Sequence, residues 1–268
     1  MPAVTSLPKL PLLTLILAVF FLCLGLPPHL RAQHFSVYKS EHGEFVTLYF
    51  TGEKDWTLYR DDPVYRRLGA DKLDSVVLNN HRVSIDEIKH LASLKNLDDL
   101  SVGDAPEGVE MEKGALEGVG TLSNLESLQL CVADLKDDDL SFLAQLKNLK
   151  FLRIQSSSPL EKPGHLTDRA ATTIARLAQL ESLEIAGDLL TDDFVTAILR
   201  LPKISKLTIY SESLTDDSLH RLAKTASLAE LRTSSPKFTR AGLRDVLDSP
   251  SLKSIDVDFT NMKFQWAK

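Results

Sequence analysis

A six-residue apolar motif, L-x-x-L-x-L, returns along most of this chain at an almost fixed interval. It reads LESLQL at 125–130, LKFLRI at 149–154, LESLEI at 180–185 and ISKLTI at 204–209. Looser copies are LDSVVL (73–78), LDDLSV (97–102), LAELRT (228–233) and LKSIDV (252–257). Their first residues, from Leu73 to Leu252, are separated by 24, 28, 24, 31, 24, 24 and 24 positions. A recurrent period near 24 marks a solenoid, in which each repeat is one unit too small to enclose its own core.

Two periodicities define one turn. In the motif the fourth and sixth residues, Leu207 and Ile209 for example, point to one face of a short strand and their neighbours to the other. After a short loop, Leu214 opens a segment in which Leu219, Leu222 and Ala223 recur at helical spacing and form a stripe that covers the strand's inner face. Stacking eight such turns gives a continuous parallel sheet with helices outside it.

Adjacent aspartates recur at three junctions of loop and helix, in DLKDDDLSFL (134–143), LLTDDFVTAIL (189–199) and SLTDDSLHRL (213–222). They follow Thr191 and Thr215, which are placed to cap free backbone N–H groups, and acids in a first helical turn face the positive end of the helix dipole. Ser84 and Glu87 have capping-box spacing in VSIDEIKHL. The pair loosens to one Asp after Thr167 and to Arg240 after Thr239, as a catalytic pair would not. A calcium loop over 134–145 fails as well: Asp139 stands where Gly is needed and Gln145 where Glu is needed. Capping is therefore the expected role of these acids.

Residues of about 71–260, with these motifs, resemble the leucine-rich repeat family, in particular its bacterial type with L-T-D-x-x-L at each helix start. They are less similar to the cysteine-containing repeats of ubiquitin-ligase substrate receptors. Those carry a Cys in the loop after the motif, whereas Cys131 directly follows Leu130. The resemblance implies an α/β leucine-rich repeat solenoid, with a curved parallel sheet on the concave side and helices on the convex side. It also implies binding of proteins through the concave sheet.

Three segments depart from the pattern. Residues 1–33, which contain no Asp or Glu, place Lys9 before an apolar stretch from Leu10 to Leu26, and read as a signal peptide or an N-terminal membrane anchor. Residues 34–70 have no motif; EFVTLYFTGEKDWTLYR (44–60) reads as two strands joined at Gly52, which predicts a small strand-rich N-terminal cap on a repeat domain of 71–268. At the other end Phe259, Phe264 and Trp266 can close the last turn as a short C-terminal cap. Two longer turns insert 103–116 and 155–166 between strand and helix, along one rim of the sheet, either as solvated slack or as part of a binding rim.

Strand alternation puts Asp99, Ser127, Gln129, Cys131, Thr208, Glu230 and Asp258 on the concave face. The same face carries the residues expected to meet a partner: Phe151, Arg153, Gln155, Glu184, Lys206, Tyr210, Arg232 and Asp256. Aromatic and arginine side chains dominate binding hot spots, and a cross-strand charge pair between Glu184 and Lys206 is the competing, purely structural use. Cys131 has no basic neighbour in sequence that would activate its thiol.

Nothing points to catalysis: G-x-S-x-G, the phosphate loop and H-E-x-x-H are absent, and the histidines are scattered, with His165 on the second insertion the one worth inspecting. No catalytic residue, metal ligand or cofactor is assigned. The formal charge, −6 overall, becomes −8 without Lys9 and Arg31, so no nucleic acid partner is expected. The expected protein is a non-catalytic protein-binding module, secreted or held in the periplasm or cell envelope, that recognises a protein or glycan-bearing partner. It touches a membrane only through residues 10–26, if these are retained. A structural, membrane-anchored envelope component is the alternative. A substrate receptor of a ubiquitin ligase fits least, since the export signal names the wrong compartment.

Overall fold

In a computed structural model, residues 34–40, 43–50, 73–79, 82–103, 108–157 and 166–258 are described. The chain divides after His34, and the fold below is that of the unit from Phe35 on. The signal or anchor segment, the second strand expected within 51–60, the aromatic C-terminal residues and His165 lie outside the described residues.

One sheet contains all ten strands in chain order. They are β1 (His34–Ser40), β2 (Gly43–Phe50), β3 (Leu73–Leu78), β4 (Asp99–Val102), β5 (Ser127–Ala133), β6 (Phe151–Ser157), β7 (Ser182–Ala186), β8 (Lys206–Tyr210), β9 (Glu230–Ser234) and β10 (Ser254–Asp258). Every pairing from β2 to β10 is parallel. Each of the eight motifs supplies one strand from β3 onward. The strand expected at 44–50 is β2, which pairs directly with β3; β1 carries no alternation that had announced it.

The helices between strands are α1 (Ile85–Leu91), α2 (Ala115–Val119), a 3₁₀ helix (Asp137–Gln145), α3 (Ala170–Ile174), α4 (Asp192–Ile198), α5 (Asp216–Ala223) and α6 (Arg240–Leu247), and each packs on the next. The third is 3₁₀ because its first turn closes at i→i+3: Asp139 N–H donates to the Lys136 carbonyl, and Lys136 N–H donates back to the Asp139 carboxylate at 2.9 Å.

Register stacks like on like. Leu100, Leu128, Leu152, Leu183, Leu207 and Leu231 form one column, and Val102, Leu130, Ile154, Ile185 and Ile209 form a second, all buried. Each such side chain contributes about 1.5–3 kcal/mol through burial. The second column continues into Thr233, fully buried, whose hydroxyl has no hydrogen-bond partner.

The aspartates do more than sit at helix starts. Thr191, Thr215 and Thr239 each accept a hydrogen bond from a backbone N–H of their own helix. The first acid of each turn reaches to the following turn: Asp137 accepts from Thr167 N–H (2.9 Å) and Oγ1 (2.6 Å), Asp168 likewise from Thr191, and Asp192 from Thr215. Asp216 accepts from Thr239 in the same way. Asp192 also accepts from the Ser218 hydroxyl. Asp168, Asp192 and Asp216 thus orient the threonines that cap the next helices, while Asp137 holds Thr167, three residues ahead of α3. Burial pushes the Asp192 carboxyl up, but the bonds from Ser218 and Thr215 outweigh it and hold the group below its ordinary value. At Ser84 the capping box is present, with Ser84 N–H donating to Glu87 at 2.7 Å.

The insertion at 103–116 is not slack over its described part. Val109 bridges to Val132, Met111 bridges to Val83, and Glu112 accepts Ile85 N–H at 2.9 Å at the start of α1. Gly103, at φ +74°, lies so close to β5 that a Cβ there would stand 2.3 Å from the Cys131 carbonyl oxygen.

Candidate partner-binding face

Because side chains alternate along each strand, the face away from the helices is built from three rows crossing the strands. One runs Phe151, Ser182, Lys206, Glu230, Ser254; the next runs Arg153, Glu184, Thr208, Arg232, Asp256; the third runs Gln155, Ala186, Tyr210, Ser234, Asp258. All eight residues expected to meet a partner stand in these rows. Arg153, Lys206, Arg232 and Asp256 are exposed, and Phe151, Gln155, Glu184 and Tyr210 are half-buried.

Two sequence expectations change. Cys131 occupies an outward position, yet it is only 7% exposed, because Gly103 is pressed against it and the 108–111 segment runs beside its strand. Glu184 and Lys206 are not a pair. Register sets Glu184 opposite Thr208 and Lys206 opposite Ser182, and the charges pair instead with the residues directly opposite them on the neighbouring strands, Arg153 with Glu184, Lys206 with Glu230 and Arg232 with Asp256. Lys206 bonds Glu230 at 2.9 Å, Glu184 faces Arg153 at 3.5 Å, and Arg232 Nε bonds Asp256 at 2.7 Å. These contacts are exposed, so each stabilises by less than about 1 kcal/mol and serves mainly to hold long side chains in place.

Between the pairs lies an open depression of about 290 Å³, lined by Ser182, Glu184, Lys206, Thr208, Glu230, Arg232, Ser254 and Asp256 over the Leu207 and Leu231 backbone. It unites Glu184, Lys206, Arg232 and Asp256. Phe151, Arg153 and Gln155 stand on β6 at one side of it, and Tyr210 stands at the end of β8. Ser182, Thr208, Glu230 and Ser254 line it without having been singled out as contact residues; alternation puts Thr208 and Glu230 on this face, and the cross-strand register, which motif reading does not supply, gathers all four.

Burial raises the Tyr210 hydroxyl above its ordinary value; Arg232 opposes the rise, while Asp256, Glu184 and Asp258 add to it. Arg232 is itself held more firmly charged by its bond to Asp256. At the start of β4, Asp98 is raised by partial loss of hydration and then by the like charges of Asp74, Glu126 and Asp99. One oxygen of Asp99 bonds Ser75 at 2.7 Å, and the other is buried without a partner. Among the described residues no cluster of His, Cys, Asp and Glu could hold a metal ion, and no helix is long and apolar enough to cross a membrane.

The architecture defines a class: an α/β leucine-rich repeat solenoid. Internalin C2 of Listeria monocytogenes has a similar fold, at a TM-score of 0.51 and 15% identity over 80% of each chain. A Listeria monocytogenes internalin (inlF) matches at a TM-score of 0.44, with 18% identity over 71% of this chain and 60% of that one. A plant peptide hormone receptor, RGFR1, solved in complex with RGF2, matches at 0.41 and 15% identity over 83% of this chain and 40% of that one. No family model matches the chain, and no curated protein does.

Proposed function

We propose that this protein is a non-catalytic binding module that takes a protein partner, or the protein part of a glycan-bearing one, on the open face of its sheet. The observation that carries this reading is the face itself. It offers three rows of polar, charged and aromatic side chains, broken only by Ala186, held in register by a stacked apolar core and covered by no other described element. Phe151, Arg153, Tyr210 and Arg232 are its anchors, since large planar side chains lose little conformational freedom on binding. Gln155, Glu184, Lys206 and Asp256 supply polar contacts around them.

The leader at residues 1–33 supports action outside the cytoplasm, secreted or in the cell envelope, and residues 34–70 serve as the N-terminal cap. The apolar stretch Leu10–Leu26 favours a second reading, an anchored structural component of the envelope. Its mark is an intact N-terminus on the protein recovered from cells.

The test is capture from native envelope and medium with the parent and with a variant carrying Phe151→Ala, Arg153→Ala, Tyr210→Ala and Arg232→Ala, after circular dichroism shows that both are folded. A protein held by the parent and lost by the variant supports open-face binding. Equal retention by both contradicts it.

A further inference from the structure

The charges of the open face are asymmetric in a way that selects the chemistry of the partner. On strands β3 to β10 its cations are Arg153, Lys206 and Arg232, and each already contacts a carboxylate: Glu184, Glu230 and Asp256 respectively. The acids outnumber them, with Asp99 on β4 and Asp258 on β10 in addition to those three. An anionic partner would have to displace an internal carboxylate to reach any of these cations. A cationic partner displaces no internal carboxylate, because a carboxylate bonded to one donor keeps room for others.

The acids are placed where a cation would be held. Tyr210 presents a half-buried ring at the third position of the row that ends on Asp258, with Glu184 and with Arg232, bonded to Asp256, in the row beside it. An aromatic face combined with carboxylates attracts ammonium and guanidinium groups. On β4, Asp99 stands on the same face, one carboxylate oxygen accepting from the Ser75 hydroxyl at 2.7 Å and the other buried with no donor among the described residues. Six strand spacings of about 4.8 Å separate β4 from β10, about 29 Å, which nine extended residues at about 3.3 Å each would cross.

We infer that the partner meets this face with an extended basic segment lying across the strands, one Lys or Arg stacked on Tyr210 beside Asp256 and Asp258 and another near Asp99. This rests on the open-face reading above and adds the partner's charge and conformation to it.

Three fluorescein-labelled nonapeptides test it, alternating Ser with Lys, with Gln or with Glu, titrated into the full protein by anisotropy at physiological salt. The parent is expected to bind the Lys peptide at least about tenfold more tightly than the other two, in line with several weak charge contacts acting together. A variant with Glu184→Gln, Asp256→Asn and Asp258→Asn is expected to lose most of that preference. A variant with the same change of charge on the helix side, Glu117→Gln, Asp193→Asn and Asp217→Asn, is expected to keep it. Tyr210→Ala should weaken the Lys peptide, and Tyr210→Phe should not. Equal losses in the open-face and helix-side variants, or a Glu peptide that binds as well as the Lys peptide, would overturn the inference. The outcomes separate from the broader reading: a captured partner that needs the open face but meets it with an acidic segment overturns the basic-segment inference alone, whereas capture indifferent to the four alanines overturns the open-face reading itself.

Discussion

Asp192 illustrates how single residues hold this solenoid together. Its carboxylate takes hydrogen bonds from two groups of Thr215 and from Ser218, so it ties one turn to the next. Asp192→Ala is expected to cost about 2 kcal/mol in urea unfolding, the usual loss when hydrogen bonds to a charged group are removed. Because the folded-state value of this carboxyl is depressed, its contribution is present above the ordinary carboxylate range and is lost as pH falls through the depressed value; the variant should lack that part of the acid dependence. Thr233 runs the other way. Its fully buried hydroxyl has no partner, and Thr233→Val keeps the shape, so it should raise stability by about 1 kcal/mol in the same assay. Sequence alone places the threonine caps and the acids behind them correctly. It cannot show that the first acid serves the following turn, since that depends on the distance between turns. The trace of it in the sequence is the pairing of Asp168, Asp192 and Asp216 with threonines 23 positions later.

Among the elements, the strands were the most legible part, because eight copies of one apolar alternation reinforce each other. The helices were less so: short turns of five residues, and a 3₁₀ turn where three aspartates follow one another, leave little periodicity to read. Of the two uses open to the 103–116 insertion, slack is excluded over its described part by anchors, Val132, Val83 and Ile85, that are distant in sequence. Gly103 is the point on which this arrangement turns. Gly103→Ala forces a non-glycine residue to φ +74° and sets its Cβ against the Cys131 carbonyl, so the β4–β5 contact must open. The expected result is a loss of more than about 2 kcal/mol in stability together with faster labelling of Cys131 by a thiol reagent, from its present buried state. Slow labelling unchanged from the parent would show that the contact does not protect the thiol.

Across the whole molecule, one apolar core running through successive turns leaves one face of the sheet free, and that division of labour is what makes a partner-binding role physically sensible. The residues of the open face are legible because strand alternation is simple. Their pairing is not, because Glu184 and Lys206 differ by two positions in register. The most direct test replaces Thr208, at the centre of the depression, with a photo-crosslinking phenylalanine analogue, and Asp193, on the helix side, with the same analogue in a second strain. After illumination of cells the account predicts a discrete crosslinked protein from position 208 and none from position 193. Crosslinks from 193 alone, or from neither position while the native N-terminus stays uncleaved, would contradict open-face binding.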